Sequence, residues 1–149
     1  MVGYPVKIGE KEVIASGLNL PISTKNSTIV CKKINKMDLE KAKKFLEDLI
    51  KEKRNINGKH FTKTSEHILE ILLSAENNIE YKGLDKKNFK IKTISAERGP
   101  TRMRRRRKRA FGAKLKNTHI KVVLESKKSE KSDKDERKGK VRRTGKKKQ

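Results

Sequence analysis

The sequence predicts an α+β fold: a small three-stranded antiparallel sheet with three helices on one face and a long protruding basic β-hairpin. Three observations carry this. Apolar residues recur at helical spacing in three successive segments up to Gly83. After Asp85 the period drops from 3.6 to 2. Residues 98–109 then hold eight cations, no anion and one sizeable apolar residue, Met103.

Val13 to Leu20 is extended in character and is stopped by Pro21. Ser23 is a plausible N-cap for a helix from Thr24 to Ile34, with Val30, Ile34 and Met37 on one face. Asp38 can cap a second helix, from Leu39 to about Lys53. Its apolar residues Leu39, Ala42, Phe45, Leu46, Leu49 and Ile50 follow the 3.6 period. A third helix starts near Thr62, with a stripe of Ile68, Leu72, Ala75 and Ile79 flanked by Leu69, Ile71 and Leu73, and Gly83 ends it. The width of that apolar arc suits the central element of a helical layer. Phe89 and Ile91, then Ile120, Val122 and Leu124, alternate with polar residues, which predicts antiparallel strands at roughly 88–101 and 109–125. With the N-terminal strand they complete the sheet. The implied organisation is a body over residues 1–125, a hairpin arm at about 95–116, and a tail over 126–149.

The 149 residues carry 42 Lys and Arg against 18 Asp and Glu, a formal charge of +24, with 32% hydrophobic residues. The excess is uneven: residues 1–60 are net +6, residues 61–97 are neutral, and residues 98–149 are net +18. A compact chain so charged repels itself unless a polyanion neutralises it. Nucleic acid is the first candidate and an anionic membrane surface the second. A single cysteine, Cys31, rules out an internal disulfide, and no apolar run is long enough to cross a bilayer. The first residues show no signal-peptide pattern, so a soluble intracellular setting is expected. From Ser126 to Gln149 the only larger aliphatic is Val141, which predicts a disordered basic tail. Solubilising ballast and loose RNA-backbone binding both suit it.

The arm is the feature with the clearest chemical demand. It extends about 11 residues beyond the sheet, roughly 35 Å at about 3.3 Å per residue, which is too far for a small core to support. Isolated hairpins are marginal in water, and adjacent cations make this one worse. Its order is therefore expected to come from surrounding phosphates. Seven of the eight cations are arginine, whose planar fork binds phosphate bidentately and stacks on bases. If six of them meet phosphates, log K falls with log salt at a slope of about −4 to −5.

Other chemistry has little support. His60, His67 and His119 fall on different elements, and with one cysteine no metal-ligand spacing exists. No glycine-rich phosphate loop or nucleophile elbow occurs. Cys31 reads as a core or boundary thiol. Asn77 and Asn78 can cap helix carbonyls or bond a sugar–phosphate edge.

Several segments together resemble a known family. They are Leu20-Pro21-Ile22-Ser23, Met37 to Leu49, Ser74 to Leu84, Arg98-Gly99-Pro100-Thr101 through Arg109-Ala110-Phe111-Gly112, and His119 to Leu124. In that order they resemble the universal large-subunit ribosomal proteins of the L-twenty-two family, in their archaeal and eukaryotic-like form, over about residues 12–125. The resemblance implies a structural, non-enzymatic protein of the cytoplasmic large ribosomal subunit. Its hairpin would be threaded through ribosomal RNA, with the tip at the narrow part of the polypeptide exit tunnel and the body near the tunnel's outer opening. By position, Arg104, Arg105, Arg106, Arg107, Lys108 and Arg109 would form the tunnel-lining tip. Arg98, Thr101, Arg102, Lys114 and Lys116 would lie along the arm, and His119 at its root. Ser23 and Lys25 match a helix-start segment that touches RNA in the family, and Asn78 matches an Asn of the helix-three motif. The implied partners are large-subunit RNA, neighbouring ribosomal proteins and the passing nascent chain, with no cofactor, metal, membrane or homo-oligomer. Two departures stand out. Lys108 occupies the place of a family proline, which frees a φ angle and adds a charge. Asn55 to Phe61 is shorter than the basic loop of archaeal members, so that loop's RNA contacts are expected to be missing.

A winged-helix DNA-binding protein is the alternative, since three helices and a basic hairpin also describe it. Its third helix should present cations to the major groove. Here that helix sets Glu66, Glu70 and Glu76 against Lys63 and His67.

Overall fold

The computed structural model describes residues 3–4, 9, 12–85, 88–105 and 112–126. The elements run β1 (Glu12–Leu20), α1 (Thr24–Ile34), α2 (Leu39–Ile50), α3 (Thr62–Tyr81), β2 (Phe89–Arg98), β3 (Arg102–Met103), β4 (Lys114–Leu115) and β5 (Thr118–Ser126). The α+β class and the three-stranded antiparallel sheet stand as expected. The sheet order is β1-β5-β2, so the last strand lies in the middle. It pairs with both neighbours, from Glu12↔Glu125 to Leu20↔Thr118 on one side and from Phe89↔Ser126 to Arg98↔Thr118 on the other.

The helices pack on one face of this sheet, α3 against β1 and α1 against β2, while α2 packs on α3. Their stripes meet Ile91, Ile94, Ile120, Val122 and Leu124 in one core, with Leu46, Leu49, Ile68 and Leu72 fully buried. Burying side chains of this size contributes about 1.5–3 kcal/mol each, which explains how an otherwise polar chain holds a fold.

Helix ends follow local chemistry. Ser23 precedes α1, but its side chain makes no cap bond; its carbonyl accepts from the Ser27 amide at 2.9 Å and the Ser27 hydroxyl at 2.9 Å. Asp38 precedes α2, also without a side-chain cap bond, and pairs with Lys41 at 3.1 Å. α2 stops at Ile50, short of the expected Lys53. Glu52 adopts φ 58°, and the Lys53 and Glu52 amides turn back to Asp48 and Leu49. This closes the last turn as a glycine would, although a non-glycine residue bears a steric cost there. Gly83, at φ 66°, ends α3 in the same way, with the Leu84 amide on the Ile79 carbonyl at 3.2 Å.

Both sheet edges are occupied. At β1, Asn78 Nδ2 donates to the Ile14 carbonyl at 2.9 Å and Lys82 Nζ to the Glu12 carbonyl at 2.7 Å. At β2, the Ile91 amide donates to the Met37 carbonyl at 2.9 Å, and Asp38 forms an isolated bridge with Lys90. Covered edges deny another chain a template for pairing.

The sheet face away from the helices differs from a plain solvated one. Lys121 lies there as the alternation predicts, yet it is only 3% exposed. Its ammonium pairs with Glu97 at 2.6 Å and donates to the Gly3 carbonyl. The Glu97 carboxylate and the Gly3 carbonyl together satisfy the ammonium hydrogens of this covered lysine.

The two long hairpin strands are not continuous. The sheet ladder ends at Arg98↔Thr118 and pairing resumes at Arg102↔Leu115. Four steps on the outgoing strand therefore match three on the returning one, a bulge at Gly99-Pro100-Thr101. Proline cannot donate to a ladder, and the break falls where the core ends. The Gly99 amide still donates to the Asn117 carbonyl at 2.8 Å, and a Cβ on Gly99 would stand 3.1 Å from that carbonyl group.

Candidate nucleic-acid interface

Among the described residues, nothing packs beneath the arm beyond Arg98. Residues 100–105 and 112–116 are all exposed, including Met103 at 68% and Leu115 at 41%. It is held by the Arg102↔Leu115 and Met103↔Lys114 pairs and by the Arg104 amide on the Ala113 carbonyl at 2.9 Å. Each pair sets one cation against one apolar side chain. Both faces of the arm thus offer charge for phosphate and an apolar surface for a base or ribose.

Among the described residues, no ion pair involves Arg98, Arg102, Arg104, Arg105, Lys114 or Lys116. The body shows the opposite. Lys43 meets Glu76 at 2.7 Å, Arg54 meets Asp48 at 3.1 Å, Lys90 meets Glu125 at 3.1 Å, and Lys92 pairs with Glu12. The Lys92 ammonium and the Gly9 amide hold the Glu12 carboxyl below its usual range. These acids are engaged by body cations, and the arm's charge is left for an external anion.

The structure gathers part of the expected site at the arm's root. Thr118, fully buried, donates its hydroxyl to the Ile22 carbonyl at 2.8 Å and shares a 2.9 Å bond with the Thr24 hydroxyl. This ties the start of α1 to the first residue of β5. Ser23 and Lys25, both exposed, therefore stand beside Arg98, the register partner of Thr118, and beside His119. His119 Nδ1 accepts the Asn19 amide at 3.0 Å. Asn19 adopts φ 56° at the β1 bulge, a conformation that asparagine tolerates. Because Nδ1 accepts, the neutral ring carries its proton on Nε2.

Asn78 is not part of this cluster. Its amide is engaged on β1, opposite the part of β5 near Val123, about 16 Å along the strand from Thr118. Arg98, Thr101, Arg102, Arg104, Arg105, Lys114 and Lys116 all lie along the arm. Arg106, Arg107, Lys108 and Arg109 fall outside the described residues, and so does the question of the missing proline. Sequence reasoning missed Thr24 and Thr118 as the clamp; threonine beside a strand start carries no signal until its partner is known. Cys31 is a buried thiol whose pKa burial pushes up to about 12, which removes it as a nucleophile.

The winged-helix alternative loses support. α3 buries Ser65, Ile68, Ile71, Leu72, Ala75 and Ile79 against the sheet and α2, and shows Glu66 and Glu70 outward. An outward face carrying these carboxylates would be repelled by the phosphates that flank a groove. No helix among the described residues is long and apolar enough to cross a membrane.

Comparison with known proteins agrees with the geometry. The family described as Ribosomal protein L22p/L17e matches residues 15–125. The large ribosomal subunit protein uL22 of Methanocaldococcus jannaschii is 38% identical over 146 residues, covering 82% of this chain and 93% of that protein. The uL22 of Methanosphaera stadtmanae is 35% identical over 144 residues, covering 81% and 93%. That of Archaeoglobus fulgidus is 32% identical over 121 residues, covering 68% and 77%. An acid-free arm on a helix-backed antiparallel sheet, with a family match that spans body and arm together, places this chain in the ribosomal protein L22p/L17e family.

Proposed function

We propose that this protein is a structural, non-enzymatic constituent of the large ribosomal subunit, binds ribosomal RNA through its arm and root, and acts in the cytoplasm, where that subunit works. The observation that carries the reading is the exposed arm, whose described cations pair with no acid among the described residues. Phosphates converging around it supply the missing countercharge, and the arm in turn lets RNA segments approach that would otherwise repel. Arg98, Thr101, Arg102, Lys114 and Lys116 act along the arm, with Ser23, Lys25 and His119 at its root. Asn78 contributes at the β1 edge with the side-chain oxygen left over from its bond to Ile14.

The finer assignment follows the family. Residues Arg104 to Arg109 form the tip that lines the exit tunnel and meets the nascent chain. The protein enters the subunit as a single copy among neighbouring ribosomal proteins. Residues 1–125 form the body with its arm, and residues 126–149 are an accessory basic tail.

Sedimentation of tagged protein with separated ribosomal subunits tests this. Stoichiometric recovery in the large subunit is expected, with strong loss when Arg104 to Arg107 are replaced by alanine and little loss when residues 127–149 are deleted. Absence from the large subunit would refute the reading.

A further inference from the structure

Beyond Lys25, already placed at the arm's root, three further cations on and just past α1 have no part in the arm or its root. From Val13 to Met37 the chain has no acidic residue, and its cations are Lys25, Lys32, Lys33 and Lys36. All four are exposed, and among the described residues no ion pair involves them. The neighbouring helix is different: α2 sets Glu40, Glu47 and Asp48 among its lysines. α1 is the helix whose charge is uncompensated.

The geometry makes these lysines a line. α1 buries Ser27, Val30, Cys31 and Ile34. At about 100° per residue, Lys25 and Lys32 lie roughly 20° apart on the opposite side, about 10 Å along the axis. Lys33 stands beside them and Lys36 follows just past the helix end. Helix stability does not account for the set. Lys32 and Lys33 favour the C-terminal end of the dipole, but Lys25 occupies the first turn, where a cation is disfavoured and no acid is present.

Position supplies the second argument. Thr24 is bonded to Thr118 at the arm's root, and Met37 accepts the Ile91 amide at the far end. α1 therefore lies lengthwise along β2, and its lysines begin where the arm departs. Unlike the arm, this face is fixed on the core before any partner arrives.

We propose that the outer face of α1 is a second RNA-binding surface, a ledge on which Lys25, Lys32, Lys33 and Lys36 follow the sugar–phosphate backbone of an RNA segment that reaches the body at the arm's root. The inference rests on the ribosomal RNA reading above and extends it to a surface that the arm does not include. Lysine suits such a ledge, because a flexible point charge tracks a backbone without regard to sequence, whereas the arginine forks of the arm fix geometry.

The test is binding of the full chain to transcribed large-subunit RNA over a range of KCl concentrations. Glutamine at all four α1 lysines should reduce the salt slope by about 3, at roughly 0.7–0.9 for each phosphate no longer neutralised. Glutamine at Lys44, Lys51, Lys53 and Lys59 removes equal charge from elsewhere on the body and should change the slope by less than about 1. Equal effects of the two sets would overturn the inference. If the fourfold variant loses helix content, Lys32→Glu alone provides the reading: a slope reduced by about 1 supports the ledge, and an unchanged slope overturns it. An arm variant that loses binding beside an α1 variant that keeps it sinks the ledge alone. Binding unaffected by both the arm variant and the α1 variant would sink the ribosomal RNA reading itself.

Discussion

Replacing Thr118 with valine removes the clamp at the arm's root while keeping the side chain's shape. The hydroxyl has one proton, which goes to the Ile22 carbonyl at 2.8 Å; the 2.9 Å bond to Thr24 therefore has Thr24 as donor. Each bond has a net worth of about 0.5–1.5 kcal/mol. The Ile22 carbonyl lies against a residue with no solvent exposure, so its loss of a partner adds a desolvation penalty, whereas half-buried Thr24 can turn to water. The expected loss is about 2 kcal/mol, with about 3 kcal/mol as the ceiling. For a folded part of this size that lowers Tm by roughly 6–10 °C. Urea denaturation followed by circular dichroism measures it, with an unchanged m-value as the control. Thr24→Val in the same background should reveal a coupling of about 0.5–1 kcal/mol in a double-mutant cycle. A Thr118→Val loss below about 0.5 kcal/mol, with m unchanged, would mean that α1 and the arm's root are not held together by these hydroxyls.

Other perturbations address other parts of the molecule. Gly99→Ala places a Cβ 3.1 Å from the Asn117 backbone and must spread the strands where the arm leaves the sheet. Stability should fall by less than about 1 kcal/mol while affinity for large-subunit RNA falls clearly; unchanged affinity would show that the pinch does not aim the arm. Glu12, depressed by Lys92 and the Gly9 amide, contributes stability that is present above the unfolded carboxyl pKa and is lost as pH falls through the lower folded value. Glu12→Gln should therefore flatten part of the acid limb of the stability–pH curve, and an identical curve would contradict the linkage. Cys31, pushed up to about 12 by burial, should resist an aromatic disulfide reagent at pH 8 until the protein is unfolded; rapid labelling of the native chain would contradict its burial.

Much of the fold is legible in the sequence because its driving pattern is local. The 3.6 period of Leu39, Ala42, Leu46 and Leu49 and the alternation of Ile120, Val122 and Leu124 need no partner to be read, and each set is buried. The α1 bounds follow from Pro21, Ser23 and the same periodicity. What escapes is non-local. Nothing in residues 118–126 announces that they form the central strand, since the choice depends on which neighbours supply backbone bonds on each side. The end of α2 depends on a left-handed Glu52, where sequence offers no glycine to mark it. The split of the hairpin at Gly99-Pro100 is visible as a Gly-Pro pair, yet its meaning requires the register on the other strand. Within the site, charge alone identifies the arm, whereas the Thr24–Thr118 contact spans 94 residues and has no local trace.

The central place of β5 bears on how an arm lacking its own core can act on RNA. β2 is an edge strand that receives on its outer side the Met37 carbonyl and the Asp38 bridge, whereas β5 is laddered on both sides through most of its length. The returning limb of the arm runs directly into β5, with only Lys116 and Asn117 between β4 and Thr118. A load on the arm is thus delivered to the strand with the most backbone bonds, and through Thr118 to the start of α1. The outgoing limb enters through Gly99-Pro100-Thr101, where one extra residue absorbs mismatch. One limb is therefore stiff and the other yielding. That asymmetry lets phosphates set the arm's final path while its origin stays fixed on the core, which a hairpin mounted on two edge strands could not do.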